Sequence, residues 1–142
     1  MSNDNAMIQV DVRDAMSSEG STAYTSLKPE TMAEKAALYN VMSNPEHKVG
    51  DFINKKIMLK DVYVESIEVA DEDTGELIVV PRIVLIDDKG KSYQAVSKGV
   101  FSSLSRLIKV FGEPTWEEPI PVVVRQINLK RGSMLSLEVD FS

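Results

Sequence analysis

The stretch SKGVFSSLSRLIKVFGEPTW, residues 97–116, decides the fold because it is an amphipathic helix among segments that look like strands. Ser97 can cap the start of this helix, and Gly112 followed by Pro114 marks its end. Its large apolar residues recur at helical spacing and form one stripe along the helix. The stripe consists of Val100, Phe101, Leu104, Leu107, Ile108 and Phe111. The sequence therefore predicts one helix with a single buried face, which the surrounding strands must cover.

Five strand candidates surround this helix. They are Lys56–Ala70, Leu77–Asp87 and Ser92–Val96 before it, and Ile120–Leu129 and Met134–Phe141 after it. The alternation of apolar residues in the first candidate changes phase twice, which predicts β-bulges in a strand that bends around a small barrel. Pro81 in the second candidate indicates an edge or a bulge. The segments DEDTGE (71–76), DDKG (87–90) and KRGS (130–133) read as the turns of hairpins.

The order β-β-β-α-β-β is that of the five-stranded OB barrel. In that fold the helix joins the third and fourth strands and closes one end of the barrel, which explains a lone helix among hairpins. An open α+β sheet with the helix on one face is the competing architecture. We predict a mainly β protein with an OB-type barrel.

The N-terminal third of the chain has a different composition. Residues 1–27 are rich in small and polar residues and read as loop, with a short strand predicted at Met7–Val12. Residues 30–43 read as a helix, in which Met32 and Tyr39 belong to the recurring apolar positions. The predicted organisation is an N-terminal extension, residues 1–47, followed by an OB-fold domain, residues 48–142.

Composition excludes several function classes. The chain has no cysteine, so disulfides and thiolate chemistry are excluded, and it shows neither a membrane span nor a signal peptide. We therefore expect a cytoplasmic protein. His47 reads as a solvated loop residue, and DEDTG lacks the glutamate that an EF-hand loop needs at its twelfth position, where this chain has Arg82. We expect no catalytic residues, no metal site and no cofactor, and hence not an enzyme.

The net charge of −6 argues against a protein that coats duplex DNA through bulk positive charge. Residues 1–47 are the more acidic part, with 7 of the 22 acidic residues and only 3 of the 16 basic ones. An acidic total still permits a local basic groove on the barrel.

The run from about residue 56 to 139 resembles single-stranded DNA-binding proteins of tailed bacteriophages. The phrases that carry this resemblance are DEDTGELIVVPRIVLIDDKGKSY, SKGVFSSLSRLIKVFGEPTWEEPI and the closing hairpin. The resemblance implies an OB fold and sequence-tolerant binding of single-stranded DNA during phage DNA replication or recombination, in the cytoplasm of the host cell. Phage or host replication proteins are the expected further partners, a homo-oligomer is left open, and no membrane is involved.

Binding of single strands without sequence preference needs cations along the phosphates and aromatic faces that stack on bases. OB folds place such groups on the second and third strands and in the loops between strands 1–2 and 4–5. The candidate nucleic-acid-binding residues are Tyr63, Arg82, Lys89, Lys91, Tyr93, Lys98, Trp116, Arg125, Lys130 and Arg131. The alternative for the cations is an ordinary solvated turn, and the alternative for the rings is core packing, with Trp116 as a lid on the barrel.

A second function stays open from the sequence alone. The turn at 71–76 is acidic and would repel phosphate, and only 6 % of the residues are aromatic. These features favour a protein-interaction or assembly module on the same barrel, without nucleic-acid binding.

Overall fold

The computed structural model describes residues 23–142, so the strand predicted at Met7–Val12 lies outside the described residues. The elements are β1 (Ala23–Thr25), α1 (Met32–Ser43), β2 (His47–Lys48), a short 3-10 helix (Val49–Phe52), β3 (Lys56–Ala70), β4 (Leu77–Asp87), β5 (Ser92–Val96), α2 (Lys98–Phe111), β6 (Ile120–Asn128) and β7 (Ser133–Val139). The three strand candidates before α2 have the predicted bounds, and α1, β6 and β7 differ from prediction by one or two residues at their ends. β1, β2 and the 3-10 helix were not predicted.

The strands form one curled sheet in the order β2-β5-β4-β3-β6-β7, with β1 paired to β3. The order β5-β4-β3-β6-β7 is the strand order of an OB barrel, which confirms the mainly β, OB-type fold. β5 and β7 do not pair with each other in this sheet. The 3-10 helix contacts both β5 and β6 and so spans part of the gap between the two ends of the curl.

Helix α2 closes the barrel as predicted. Ser97 caps it by accepting a hydrogen bond from the backbone N of Val100 at 3.1 Å, and Gly112 ends it at a φ of 85°. Val100, Leu104, Leu107 and Ile108 are buried in the main core, whereas Phe111 is partly exposed. At its start the helix lies directly against β7, because a Cβ atom on Gly99 would stand 2.1 Å from the backbone oxygen of Leu135.

The bend in β3 has one bulge, where two were predicted. The pairing of β3 with β4 shifts between Leu59 and Asp61. Ile57 and Leu59 before this shift and Val62 and Val64 after it therefore all point into the core. The second phase change, between Val64 and Ile67, needs no bulge. In this region the β3–β4 hairpin extends beyond the barrel. Its apolar side chains therefore no longer need to point into the main core.

The N-terminal part contains a strand that the sequence did not predict. Residues 23–25 were expected to be loop, but they form β1, and Tyr24 pairs with Val64 and is buried. Ser26 continues this contact, with a hydrogen bond of 2.8 Å from its Oγ to Asp61 Oδ1. The predicted domain boundary between residues 47 and 48 stays a prediction. Strand β1, from the N-terminal extension, pairs with β3 of the predicted OB-fold domain.

Helix α1 begins with a capping box formed by Thr31 and Glu34. None of its residues is buried, and Met32 and Tyr39, predicted on its apolar face, are 81 % and 67 % exposed. The helix instead approaches the sheet through Val41, which packs with Leu27 against a small second core on the outer face of β3 and β4.

Candidate nucleic-acid interface

Two basic turns lie at the end of the sheet where β3 begins. The turn between β4 and β5 adjoins this end, because the backbone N of Asp88 donates to the oxygen of Met58 at 3.0 Å. Strand β6 runs antiparallel to β3, pairs Val123 with Lys56, and continues for five residues beyond this pair to the turn before β7. We call the four cations of the two turns the basic end. They are Lys89, Lys91, Lys130 and Arg131.

The β4–β5 turn is ordered by one buried carboxylate. Asp87 Oδ1 accepts hydrogen bonds of 2.9 Å from the backbone N of both Lys89 and Lys91. Its Oδ2 accepts a bond of 2.8 Å from the hydroxyl of Tyr93. Gly90 takes the left-handed conformation that this tight turn requires, with a φ of 83°. Asp87 thus fixes the backbone, and the two exposed lysine side chains point away from it.

The β6–β7 turn presents its cations in a similar way. Gly132 has a φ of 75°, and its oxygen accepts a hydrogen bond of 3.0 Å from the backbone N of Leu129. Lys130 and Arg131 at the tip are exposed. Within residues 23–142, neither these two residues nor Lys89 and Lys91 form an ion pair. Their positive charges are therefore available to phosphates.

The two other predicted arginines are already engaged. Arg82 Nη1 lies 3.0 Å from Glu65 Oε2, and this pair is largely buried. Arg125 pairs with Glu138 at 3.0 Å and donates to Asn54 Oδ1 at 2.8 Å. A phosphate would have to compete with these carboxylates. Both arginines thus have a structural role that the sequence could not show.

Lys98 lies apart from the basic end. Strand β5 pairs Val96 with Arg82, so the chain enters α2 at the far end of β5 from the β4–β5 turn. Lys98 is exposed there, in the first turn of α2. The structure therefore places four of the predicted cations in two exposed turns on the strands that flank β3, and it leaves Lys98, Arg82 and Arg125 elsewhere.

The three predicted stacking rings are buried, at 2 % to 7 % exposure for Tyr63, Tyr93 and Trp116. Tyr63 lies in the second core, and its hydroxyl donates to Glu65 Oε1 at 2.7 Å. Trp116 lies in the main core, and its Nε1 donates to the oxygen of Gly112 at 3.0 Å. Each ring packs in this structure as the alternative interpretation described, and base stacking by any of them stays a prediction.

Tyr93 is the centre of an aromatic cluster that the sequence did not reveal. His47 stacks on it with 5.1 Å between ring centroids, and Phe52 meets it edge-on at 5.0 Å. The Nζ of Lys55 lies 5.6 Å from the centroid of the Phe52 ring. His47 is therefore not the solvated residue that its loop position indicated. Only the parallel pairing of β2 with β5 brings these rings together, and no spacing in the sequence signals it.

Among residues 23–142, the exposed aromatic rings are Tyr39 and Phe141, which are largely exposed, and Phe111, which is partly exposed. Tyr39 lies on α1, whose other face adjoins the β4–β5 turn across a cleft of about 300 Å³ that includes Asp88 and Gly90. Tyr39 is thus the exposed ring on the helix that borders the basic end. It was predicted as a packing residue and not as a contact to DNA.

The acidic turn lies at the opposite end of β3 from the basic end. Ten residues of β3 lie between Leu59, which pairs with Asp87, and Ala70, which pairs with Leu77. Asp71 orders the tip, since its Oδ1 accepts from the backbone N of Asp73 at 2.8 Å and of Thr74 at 3.1 Å. The sheet is therefore electrically polar along β3, with phosphate attracted to one end and repelled from the other.

The OB-type barrel is a fold shared by many oligonucleotide- and oligosaccharide-binding proteins. A family model described as phage single-stranded DNA-binding protein matches residues 17–140, and the chain belongs to this family. The chain matches no curated protein and no solved structure. Because the chain belongs to the phage single-stranded DNA-binding family, its partner is single-stranded DNA. Among residues 23–142, the helices are too short or too polar to cross a bilayer.

Proposed function

We propose that this protein binds single-stranded DNA without strong sequence preference, and that it protects and organises the strand during phage DNA replication or recombination. The observation that supports this role best is the basic end, where four exposed cations without ion-pair partners stand on two ordered turns. Cations that contact only phosphates carry no sequence information. The binding is stoichiometric and without turnover, and it takes place in the host cytoplasm.

The proposed contact is mainly electrostatic. Lys89 and Lys91 on one side and Lys130 and Arg131 on the other follow the phosphates of one strand. β4 and β6 flank β3, and Leu59 pairs with both Asp87 and Ile120. The β6–β7 turn begins about ten residues beyond Ile120, so a DNA strand must span this offset to contact both turns. Tyr39 is an exposed ring and can reach a base without rearrangement of the core.

The preference for single strands is tested by fluorescence anisotropy. A fluorescein-labelled thymidine oligonucleotide of about 30 nucleotides is titrated with the full chain, and a duplex of equal length is the control. With about four phosphate contacts, the affinity falls roughly 50-fold between about 50 and 200 mM salt, at about 0.7 per contact in the logarithmic slope. Equal affinity for the duplex, or no binding at low salt, would contradict the proposal.

The absence of sequence preference is tested with oligonucleotides of equal length and different composition. Because the proposed contacts are to phosphates, we expect affinities within about threefold of each other at one salt concentration. A preference of a hundredfold for one sequence would show that bases are read directly and would contradict this part of the proposal.

The acidic hairpin favours a second function, a contact to another protein. DNA binding does not use this end of the sheet, and its charge would repel the strand.

A further inference from the structure

The hairpin between β3 and β4 extends beyond the barrel as an arm, residues 67–80. The pairing of β4 with β5 ends at Arg82, and the pairing of β3 with β1 ends at Glu65. Within residues 23–142, no strand pairs with the outer edges of 67–70 and 77–80. An isolated two-stranded ribbon is only marginally stable in water. Leu77 on this ribbon is 70 % exposed, and Val79 is largely exposed as well. The arm therefore presents apolar surface without a partner.

The arm is also strongly acidic. Its residues include no lysine or arginine and five carboxylates, at Glu68, Asp71, Glu72, Asp73 and Glu76. Such a surface repels nucleic acid, and it equally repels a second arm. The surface that covers the arm must therefore combine apolar residues with positive charge.

One surface of this chain has that combination. We call it the α2 groove, a cavity of about 220 Å³ between the C-terminal half of α2 and β7. Val110 at its rim is 77 % exposed, and Phe111 is partly exposed. The residues that line it are Ser103, Arg106, Leu107, Val110, Phe111, Leu137 and Val139.

The charge around the α2 groove is positive. Helix α2 has three basic residues, Lys98, Arg106 and Lys109, and no acidic residue. Arg106 and Lys109 also line a shallow second cavity of about 470 Å³ on the outer face of the helix. Within the described part of the chain, neither side chain is held in an ion pair. The groove thus offers apolar contacts and unpaired cations together.

We propose that the arm of one molecule docks in the α2 groove of a second copy of this chain. The exposed Leu77 and Val79 cover Val110 and Phe111, and the carboxylates of the tip face Arg106 and Lys109. The arm leaves the barrel beside the start of α2, where Arg82 pairs with Val96, whereas the groove lies at the other end of this helix. Arm and groove are different surfaces, so the contact is head-to-tail and joins molecules into a ring or an open chain. The contact does not depend on DNA.

The test is sedimentation velocity on the full chain without DNA, over a range of protein concentrations. The weight-average mass is expected to rise with concentration at about 50 mM salt and to rise less at about 500 mM, because salt screens the charges. Two variants break the contact from either side. They are a groove variant, Arg106→Glu with Lys109→Glu, and an arm variant, Glu72→Lys with Asp73→Lys. Each variant alone is expected to associate at least about tenfold more weakly.

An equimolar mixture of the two variants is expected to regain association, since the acidic arm of one meets the intact basic groove of the other. A change in net charge alone cannot produce this rescue. The matched control is Lys28→Glu with Lys35→Glu, which changes the net charge of the protein as much as the groove variant does. Lys28 precedes α1 and Lys35 lies on it. This control variant is expected to leave association unchanged. Thermal unfolding of each variant establishes that it folds.

Wild-type protein that stays monomeric at every concentration would overturn the proposal and leave the groove to a different protein. Association that both variants retain, or a mixture that fails to rescue, would overturn it as well. Binding of the groove variant to the labelled oligonucleotide, measured at dilutions where the protein is monomeric, separates this result from single-stranded DNA binding. The basic end is intact in that variant, so its loss of association leaves the proposed function untouched.

Discussion

Asp87 links the core of the barrel to the proposed DNA contact. One carboxylate oxygen holds the backbone of the β4–β5 turn, and the other accepts the hydroxyl of buried Tyr93. The sequence DDKG predicted the turn, but it could not show that the first of its two aspartates is the anchor. That distinction comes from the pairing of β3 with β4, which buries Asp87 and leaves Asp88 exposed.

Replacing Asp87 by alanine is therefore expected to lower the free energy of unfolding by about 2–3 kcal/mol, because a buried hydroxyl and two backbone N–H groups lose their acceptor. The free energy is measured by urea denaturation. Asp88→Ala is the matched control and is expected to change it by less than about 0.5 kcal/mol. Equal effects of the two substitutions would contradict the assigned role of Asp87.

The buried tyrosines predict a loss of stability at high pH. Burial and the hydrogen bond to Asp87 raise the pKa of Tyr93 to about 12. Burial also raises the pKa of Tyr63 and of Tyr24. A raised tyrosine pKa means that the unfolded chain loses its proton first as the pH rises. The free energy of unfolding is therefore constant below the ordinary pKa of about 10 and falls above it.

For each such tyrosine the expected slope is about 1.4 kcal/mol per pH unit between about pH 10 and the folded pKa. Urea denaturation over this pH range measures the slope. Tyr93→Phe is expected to make this slope shallower by about 1.4 kcal/mol per pH unit, the share of one tyrosine. An unaltered slope in Tyr93→Phe would show that this tyrosine titrates alike in both states.

The sequence indicates which turn cations are exposed, but it could not show which way the aromatic rings face, and DNA contact by any of these residues stays a prediction. Residues in hairpin turns are usually exposed, so the positions of the turns in the sequence indicate that the four cations of the basic end lie on the surface. Whether a strand residue faces core or solvent depends on register, and Tyr63 shows this. Tyr63 follows Val62 and precedes Val64 in the chain, and both valines point into the main core. The Tyr63 side chain lies on the other face of β3, in the second small core.

Among the elements, those with strong periodicity were predictable from sequence. Strand β3 and helix α2 have continuous apolar patterns, and their bounds and the bulge near Lys60 follow from those patterns. Strands β1 and β2 have three and two residues, too few for any period to appear. Their pairing partners lie more than 35 residues away in the chain, so only tertiary contacts create them.

Helix α2 and strand β7 are in such close contact that one position cannot accept a side chain. Gly99→Ala is expected to lower the free energy of unfolding by about 1–3 kcal/mol, because the added Cβ meets the backbone of Leu135 and the helix must move. Gly50→Ala is the matched control. Its Cβ would lie 3.9 Å from the side chain of the same Leu135, an ordinary contact. Thermal unfolding of both variants measures the difference, and a Gly99→Ala protein as stable as Gly50→Ala would contradict this packing.

At the scale of the whole molecule, the arrangement of charge matters more than its total. The net charge is −6, but the charges are not evenly distributed over the sheet. Cations lie at one end of β3 and carboxylates at the other. The sequence contains all of these residues, but only the antiparallel register of β3 with β4 and β6 sorts them by sign. This polarity lets an acidic protein attract a polyanion to one end while the other remains free for a second contact.

The most direct test of this account is the salt dependence of single-stranded DNA binding in a pair of charge-matched variants. Lys130→Ala with Arg131→Ala removes two cations from the basic end, and Lys35→Ala with Lys109→Ala removes two from helix surfaces. Anisotropy titrations over a range of salt concentrations measure the logarithmic salt slope of the affinity. The first variant is predicted to have a slope lower by about 1.4 than that of the unmodified protein, and the second variant an unchanged slope. Equal slopes in both variants would show that the strand does not bind at the basic end.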